Sequence, residues 1–152
     1  MTEGKVATQL GYIVSGQLRY YSISSDGEEH TTYVSIERNF VTSLLSYLKE
    51  IPAIESIRAI STTQLWFIEK ANVERLIQDI PKFKDFYIKV IEYQICCIDQ
   101  SRLELITLTA EQRYTRVLRE NPDLLQKVPL QYLASILGVT PRHLSRIRKS
   151  AL

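Results

Sequence analysis

The side chains best suited to chemistry in this sequence are basic and lie near its C-terminal end. Four polar residues recur at i, i+3, i+4 and i+7, so one face of a helix would present Arg142, Ser145, Arg146 and Lys149. The opposite positions are apolar and predict a buried face made of Leu144, Ile147 and Ala151. Guanidinium and ammonium groups bind phosphate, and a forked guanidinium also matches guanine in the major groove. The pattern therefore favours nucleic-acid binding.

The charge distribution supports this interpretation. The 152 residues carry a formal net charge of +2, but residues 1–80 hold seven basic and ten acidic side chains, whereas residues 81–152 hold twelve and seven. From Leu124 to the end of the sequence there is no acidic residue. A basic C-terminal module on an acidic body is typical of phosphate binding, although a solvated basic tail would look the same on charge alone.

Two short helices are predicted to position the basic face. The first has three leucines on one side: Leu130, Leu133 and Leu137. Ala134 suits a close approach of two helices, and Gly138 suits a left-handed turn at the helix end. Thr140 is a good N-cap, and Pro141 fits the first helical position. The combination is typical of a helix-turn-helix, and the alternative is a helical hairpin with a solvated basic face.

No catalytic or metal-binding grouping is indicated. Cys96 and Cys97 are adjacent, which a disulfide tolerates only with a strained peptide, so we interpret them as packing residues of a cytoplasmic protein. His30 and His143 lie far from them in the sequence. We therefore predict no enzyme, no metal and no cofactor, and nothing favours the alternative of a Cys-based enzyme. No apolar run reaches the roughly 18 residues of a membrane span.

The first third of the chain is predicted to form strands and the remainder helices. Four of the five glycines precede residue 28, and all five prolines follow residue 50. Strands are predicted over 10–15, 17–24, 28–36 and 59–68, with a hairpin turn at Asp26-Gly27. Helices are predicted over 70–78 and 110–120, the latter opened by a capping box at Thr109 and Gln112, and a short turn over 123–127.

A long helix is predicted from Pro81 to about Leu105. Its seam steps by three and four residues through Ile88, Ile91, Ile95, Ile98, Arg102 and Leu105. A helix of this length needs a partner for its apolar stripe, and we favour a second copy of the chain over an intrachain core. The predicted dimer interface is then Ile88, Ile91, Ile95 and Ile98.

Three blocks of the sequence resemble the cAMP receptor protein/Fnr (Crp/Fnr) superfamily of bacterial transcription regulators. Residues 11–20 are similar to the strand-Gly-strand of its cyclic-nucleotide-binding β-roll, and residues 81–105 fall where the family has its dimerisation helix. Residues 132–148 closely resemble the helix-turn-helix of a subgroup common in Bacteroidetes-type bacteria. The resemblance implies an α+β fold with a partial β-roll at 1–80, a dimerisation helix at 81–106 and a helix-turn-helix domain at 107–152.

The sequence departs from the family pattern in three places. By this alignment the β-roll starts some forty residues into the usual one, so we expect a fragment, a mis-assigned start or a shortened version of the family, and we expect no β-hairpin wing after the last helix. The family's nucleotide-binding members carry a Gly-Glu pair and an Arg-Ser pair, and here those positions hold Thr42-Ser43 and Ala53-Ile54. Without the arginine a buried phosphate has no compensating charge, so we predict no cyclic-nucleotide binding.

The expected function is that of a dimeric, sequence-specific DNA-binding regulator. Its expected partners are double-stranded DNA, a second copy and RNA polymerase, with no membrane and with the effector unassigned. Arg142 and Arg146 are the candidates for reading bases. The candidates for phosphate contacts are Thr140, Ser145, Arg148 and Lys149. The alternative is a ligand-sensing or protein-interaction module in which the β-roll carries the function.

Overall fold

The computed structural model describes residues 1–150 and shows an α+β chain that begins with a β-roll. Six strands form two three-stranded antiparallel sheets with the orders β4-β1-β6 and β3-β2-β5. Their bounds are β1 Gln9–Ser15, β2 Gln17–Ile23, β3 Glu29–Ile36, β4 Phe40–Val41, β5 Ser56–Ala59 and β6 Gln64–Glu69. The predicted hairpin at Asp26-Gly27 is confirmed, because β2 pairs with β3 and Gly27 adopts a φ of +85°.

The prediction of one strand over 59–68 is wrong. The chain breaks there into β5 and β6, which pair with β2 and β1 in different sheets. The reason lies at Gly16, which passes the chain from one sheet to the other with a φ of +93°. A Cβ on Gly16 would lie 2.6 Å from the carbonyl oxygen of Thr62, so the return chain crosses at the same place. The β-branched residues Thr62 and Thr63 concealed this turn in the sequence.

Seven helices complete the described part of the chain. Their bounds are α1 Leu44–Lys49, α2 Lys70–Asp79, α3 Pro81–Thr107, α4 Ala110–Glu120, α5 Pro122–Lys127, α6 Leu130–Ile136 and α7 Pro141–Ser150. The sequence did not predict α1, which ends at Glu50 in a left-handed conformation. The long helix is confirmed as α3, about 40 Å in length, and the capping box of Thr109 and Gln112 opens α4 as expected. In residues 1–150 we find no helix with the length and apolarity that crossing a membrane requires.

The apolar residues form two cores. The core of the roll is built from Ile13, Leu18, Tyr20 and Val41. The other core lies among α4, α6 and α7 and contains Ala110, Tyr114, Val128, Leu133, Ala134, Leu137, Leu144 and Ile147. Val34 of β3 belongs to this second core although it lies on the roll. The C-terminal helices therefore pack directly against the roll through β3.

Candidate nucleic-acid interface and the neighbouring groove

The turn between α6 and α7 is closed by two backbone hydrogen bonds. Gly138 adopts a φ of +67°, and its N–H donates to the carbonyl of Ser135 at 3.0 Å. The N–H of Val139 donates to the carbonyl of Ala134, also at 3.0 Å. These two bonds make a Schellman motif, in which a left-handed residue closes the helix end. The predicted role of Gly138 is confirmed, and the motif fixes the direction in which α7 leaves.

The start of α7 is capped as the sequence predicted. The Thr140 hydroxyl accepts a hydrogen bond from the backbone N–H of His143 at 3.2 Å, and Pro141 occupies the first helical position. Leu144 and Ile147 are buried against α6, where Ala134 is fully buried at the crossing. Ala151, the third predicted residue of this buried face, lies outside the described residues.

The opposite side of α7 is open to solvent. Thr140 lies just before the helix and is exposed, and Ser145 is half-buried. All four basic residues of the helix are exposed: Arg142, Arg146, Arg148 and Lys149. Within residues 1–150 none of these cations takes part in an ion pair. The helix therefore presents uncompensated positive charge on a rigidly positioned surface, which is suited to a polyanion.

Arg113 of α4 is a positioning residue that the sequence analysis missed. Its guanidinium donates to the carbonyl oxygen of Leu137 at 2.7 and 3.1 Å, and also to the carbonyl of Leu108. It thereby joins the α6–α7 turn to the junction of α3 and α4. No local pattern could have revealed this contact, because Leu137 lies 24 residues along the chain.

Helix α6 also contacts the roll through polar groups. The Ser135 hydroxyl donates to the carbonyl of Thr31 in β3 at 2.9 Å. The Arg19 guanidinium is buried and lies over the rings of Tyr21 and Tyr132, 4.2 and 4.6 Å from the ring centroids. Because a buried cation needs compensation, Arg19 also pairs with the carboxylate of Glu29, and this pairing holds the pKa of Glu29 below its usual range.

The stripe of α3 is uncovered in the single chain. Ile88, Ile95 and Ile98 expose 42%, 55% and 50% of their surfaces, and Ile91 is half-buried. None of the residues of α3 is buried. An intrachain core around this helix would have buried the stripe, so the exposure argues against that alternative. The dimer itself stays a prediction.

A groove of about 580 Å³ separates α3 from the roll. Its walls are mainly apolar, and Glu55 and Arg102 are the acidic and basic residues among its described lining. The positions that align with the family's Gly-Glu and Arg-Ser pairs, here called the cassette positions, lie at or near the groove. Thr42 lines it, and the Ser43 hydroxyl donates to Glu55 at 3.3 Å. Ala53 is buried and Ile54 is exposed. A cyclic phosphate placed beside Glu55 would meet its carboxylate, and Arg102 is mostly exposed and pairs with Asp99, so the residues at this end of the groove do not fit a cyclic nucleotide.

The two cysteines take different positions on α3. Cys96 is exposed, whereas Cys97 is half-buried and lines the groove. Neither forms a disulfide. In the described residues no three His, Cys, Asp or Glu side chains come together in an arrangement that could hold a metal ion.

Comparison with known proteins defines the class of this chain. The family model for the cyclic nucleotide-binding domain matches residues 1–79, and the chain belongs to this family. The fold is similar to solved structures of Crp/Fnr-type regulators. One is FixK2 from Bradyrhizobium japonicum, with a TM-score of 0.82 and 18% identity over 98% of this chain and 77% of FixK2.

Two further structures extend this similarity. CLP, a c-di-GMP-responsive global regulator from Xanthomonas campestris, has a TM-score of 0.71 and 19% identity over 99% of this chain and 80% of its own. A transcriptional regulator of the crp/fnr family from Eubacterium rectale has a TM-score of 0.67 and 20% identity over 98% of this chain and 73% of its own. No curated protein sequence matches the chain. At these identities the neighbours define the fold, which includes the helices beyond the roll.

Proposed function

We propose that this protein is a dimeric, sequence-specific DNA-binding transcription regulator of the Crp/Fnr type. The observation that carries the proposal is the exposed basic face of α7, held in a fixed direction by the Schellman turn at Gly138 and the N-cap at Thr140. In this proposal α6 and α7 form a helix-turn-helix within a domain at 107–152, preceded by a roll at 1–80 and a dimerisation helix at 81–106.

The polar residues on the open side of α7 and at its N-cap divide into two roles. Arg142 and Arg146 read base edges, because a forked guanidinium matches the acceptors of guanine in the major groove. Four residues contact phosphates and set the register of the helix on the duplex: Thr140, Ser145, Arg148 and Lys149. The fold similarity to solved regulator structures supports the proposal of a regulator, whereas the division of roles rests on the side-chain chemistry.

The exposed stripe of α3 supports a two-fold dimer along this helix. Ile88, Ile95 and Ile98 would be buried against the same residues of a second copy. The resulting dimer would present two α7 helices, one for each half-site of the DNA. Half-sites are then expected about 10 base pairs apart, centre to centre. Sedimentation should give about twice the monomer mass, and Ile95→Lys should give a monomer. Lys89→Glu, an exposed charge change on the same helix, is the control.

The experiment that tests DNA reading measures variants on a selected operator and on random DNA at several salt concentrations. Arg146→Ala should cost about 1–3 kcal/mol per half-site on the operator and relax the preference at one base pair. Lys149→Ala should weaken binding to both DNAs equally and flatten the salt dependence by roughly one charge per contact.

Arg75→Ala removes an exposed arginine from α2 and serves as the matched control. It should change neither the affinity nor the salt dependence, since it lies outside the C-terminal helices. If Arg146→Ala and Lys149→Ala lose affinity identically on operator and random DNA, the α7 face does not read sequence.

We further propose that the regulator does not respond to cyclic nucleotides. The carboxylate of Glu55 in the groove, with Ala53 and Ile54 in place of an Arg-Ser pair, supports this statement. Titration calorimetry with cAMP and cGMP should show no heat of binding up to millimolar concentration. A saturable micromolar signal with either nucleotide would contradict it.

A further inference from the structure

The groove between the roll and α3 has the dimensions and the surface of a ligand site. Its volume of about 580 Å³ falls within the range of small-molecule pockets, and apolar side chains line both walls. Leu10, Phe40 and Leu44 come from the roll, and Val90 and Ile98 from α3. Such walls suit the apolar part of a ligand, but they offer no charged or hydrogen-bonding group to bind its polar part.

The polar anchor of the groove is an acid without a counter-ion. Glu55 follows the cassette position and lines the groove beside Tyr20, Tyr33 and Thr32. The Ser43 hydroxyl donates to its Oε1 at 3.3 Å, but in residues 1–150 no lysine or arginine pairs with its carboxylate. Burial raises the pKa of Glu55, and hydrogen bonds from Ser43 and Thr32 partly oppose this effect.

Arg102, the basic residue among the described lining, does not pair with this acid. Arg102 lies further along α3, where its side chain is mostly exposed, and its guanidinium donates to Asp99 at 2.8 Å. Arg102 is thus solvated and has an acidic neighbour on its own helix, whereas the half-buried Glu55 has no basic partner among the described residues. An anion entering the groove would meet repulsion at its polar end, and a cation would supply the missing partner.

We propose that the groove binds a small primary amine with an apolar body, whose ammonium group pairs with the carboxylate of Glu55. This inference goes beyond the proposed function, which names no effector, and it assigns a charge opposite to that of a cyclic nucleotide. The hydroxyl-bearing residues Thr32, Tyr20 and Tyr33, which line the groove with Glu55, would supply acceptors for the remaining ammonium protons, and the apolar walls would hold the body.

The test uses three probes with one apolar body and different head groups: phenylbutylamine, phenylbutanol and phenylbutanoate. Their affinities for the full chain are measured by titration calorimetry at neutral pH. The amine should bind at least about tenfold more tightly than the carboxylate, since one probe gains an ion pair and the other meets a like charge. Glu55→Gln should reduce the amine affinity about tenfold and leave the alcohol within about twofold.

Glu28→Gln, which neutralises an exposed glutamate in the β2–β3 hairpin, is the matched control and should change none of the three affinities. Retained alcohol binding by Glu55→Gln shows that the variant is folded. Equal binding of amine and carboxylate, equal effects of the two substitutions, or no binding of any probe would overturn the proposal. Operator binding measured on the same samples separates these failures from a failure of the proposed function.

Discussion

The α6–α7 surface and the groove beside α3 are built in opposite ways. At α6–α7 the positive charges are exposed and uncompensated, and the backbone beneath them is fixed by short hydrogen-bonded motifs at Gly138 and Thr140. In the groove the notable charge is a half-buried acid, and its neighbours come from β2, β3, α1 and α3. The comparison shows that short-range motifs fix the turn and the helix start at α6–α7, with Arg113 and Ser135 as longer-range ties, whereas the groove depends on distant residues throughout.

Strand β3 joins the two regions. Thr32 and Tyr33 line the groove, whereas Thr31 and Val34 contact α6 and its core. A β-bulge between the β2–β3 pairs Tyr20–Tyr33 and Tyr21–Thr31 leaves Thr32 as the extra residue. The bulge therefore lies at the point where the strand passes from one region to the other.

The largest expected effect comes from the shared C-terminal core. Leu144→Ala should lower the free energy of unfolding by about 2–5 kcal/mol, because Leu144 is fully buried beneath the basic face. Urea denaturation measures the loss. Leu118→Ala removes an exposed leucine from α4 and should cost less than about 1 kcal/mol. Equal losses in the two variants would show that the α6–α7 surface does not depend on this core.

The turn at Gly138 is expected to be the next most sensitive position. Gly138→Ala should cost about 1–2 kcal/mol, because its φ of +67° forces a Cβ toward the following carbonyl oxygen. Gly138→Asn should be tolerated better, since asparagine enters the left-handed region more readily. Thermal unfolding of both variants checks the order, and an alanine variant as stable as wild type would contradict a locally fixed turn.

The contact between α6 and β3 should contribute less. Ser135→Ala removes the hydrogen bond to the Thr31 carbonyl and should cost about 0.5–1.5 kcal/mol. If the two regions are coupled, backbone amide hydrogens of both β3 and α6 should exchange faster in Ser135→Ala than in wild type. Ser101→Ala, at an exposed serine of α3, is the control. Unchanged exchange in β3 would separate the two regions.

The smallest effect is the pH dependence of stability at Glu55, because hydrogen bonds from Ser43 and Thr32 oppose the effect of burial on its pKa. The pKa is raised above its ordinary value of 4.5, so the folded protein loses stability as pH rises from about that value through the raised pKa. Glu55→Gln should therefore match wild type in acid and become relatively more stable at neutral pH. Unfolding titrations across this range check the sign, and a variant that becomes relatively less stable at neutral pH contradicts it.

The sequence by itself determined the elements whose signals are short-range. The Thr109 and Gln112 capping box, the Gly138 turn and the Thr140-Pro141 helix start are all as predicted, because each depends on backbone preferences within a few residues. The helix that carries the apolar repeat of α3 was also predictable, because the repeat lies within one continuous segment of sequence. The roll was implied by the family resemblance, and three of the four predicted strands correspond to β1, β2 and β3.

Only the tertiary structure decided which distant residues meet. The division of residues 59–68 into β5 and β6 follows from the crossing at Gly16. The Thr63 hydroxyl donates there to the carbonyl of Gln17, which lies 46 residues earlier in the chain. Ser135 meets Thr31 across 104 residues, and Arg113 finds the Leu137 carbonyl across 24. Glu55 carries no local signal at all, because its environment is created when α3 comes to lie beside the roll. Such burial and pairing require residues far apart in the chain to come together in the fold, and a short stretch of sequence holds no information about which distant residues will meet.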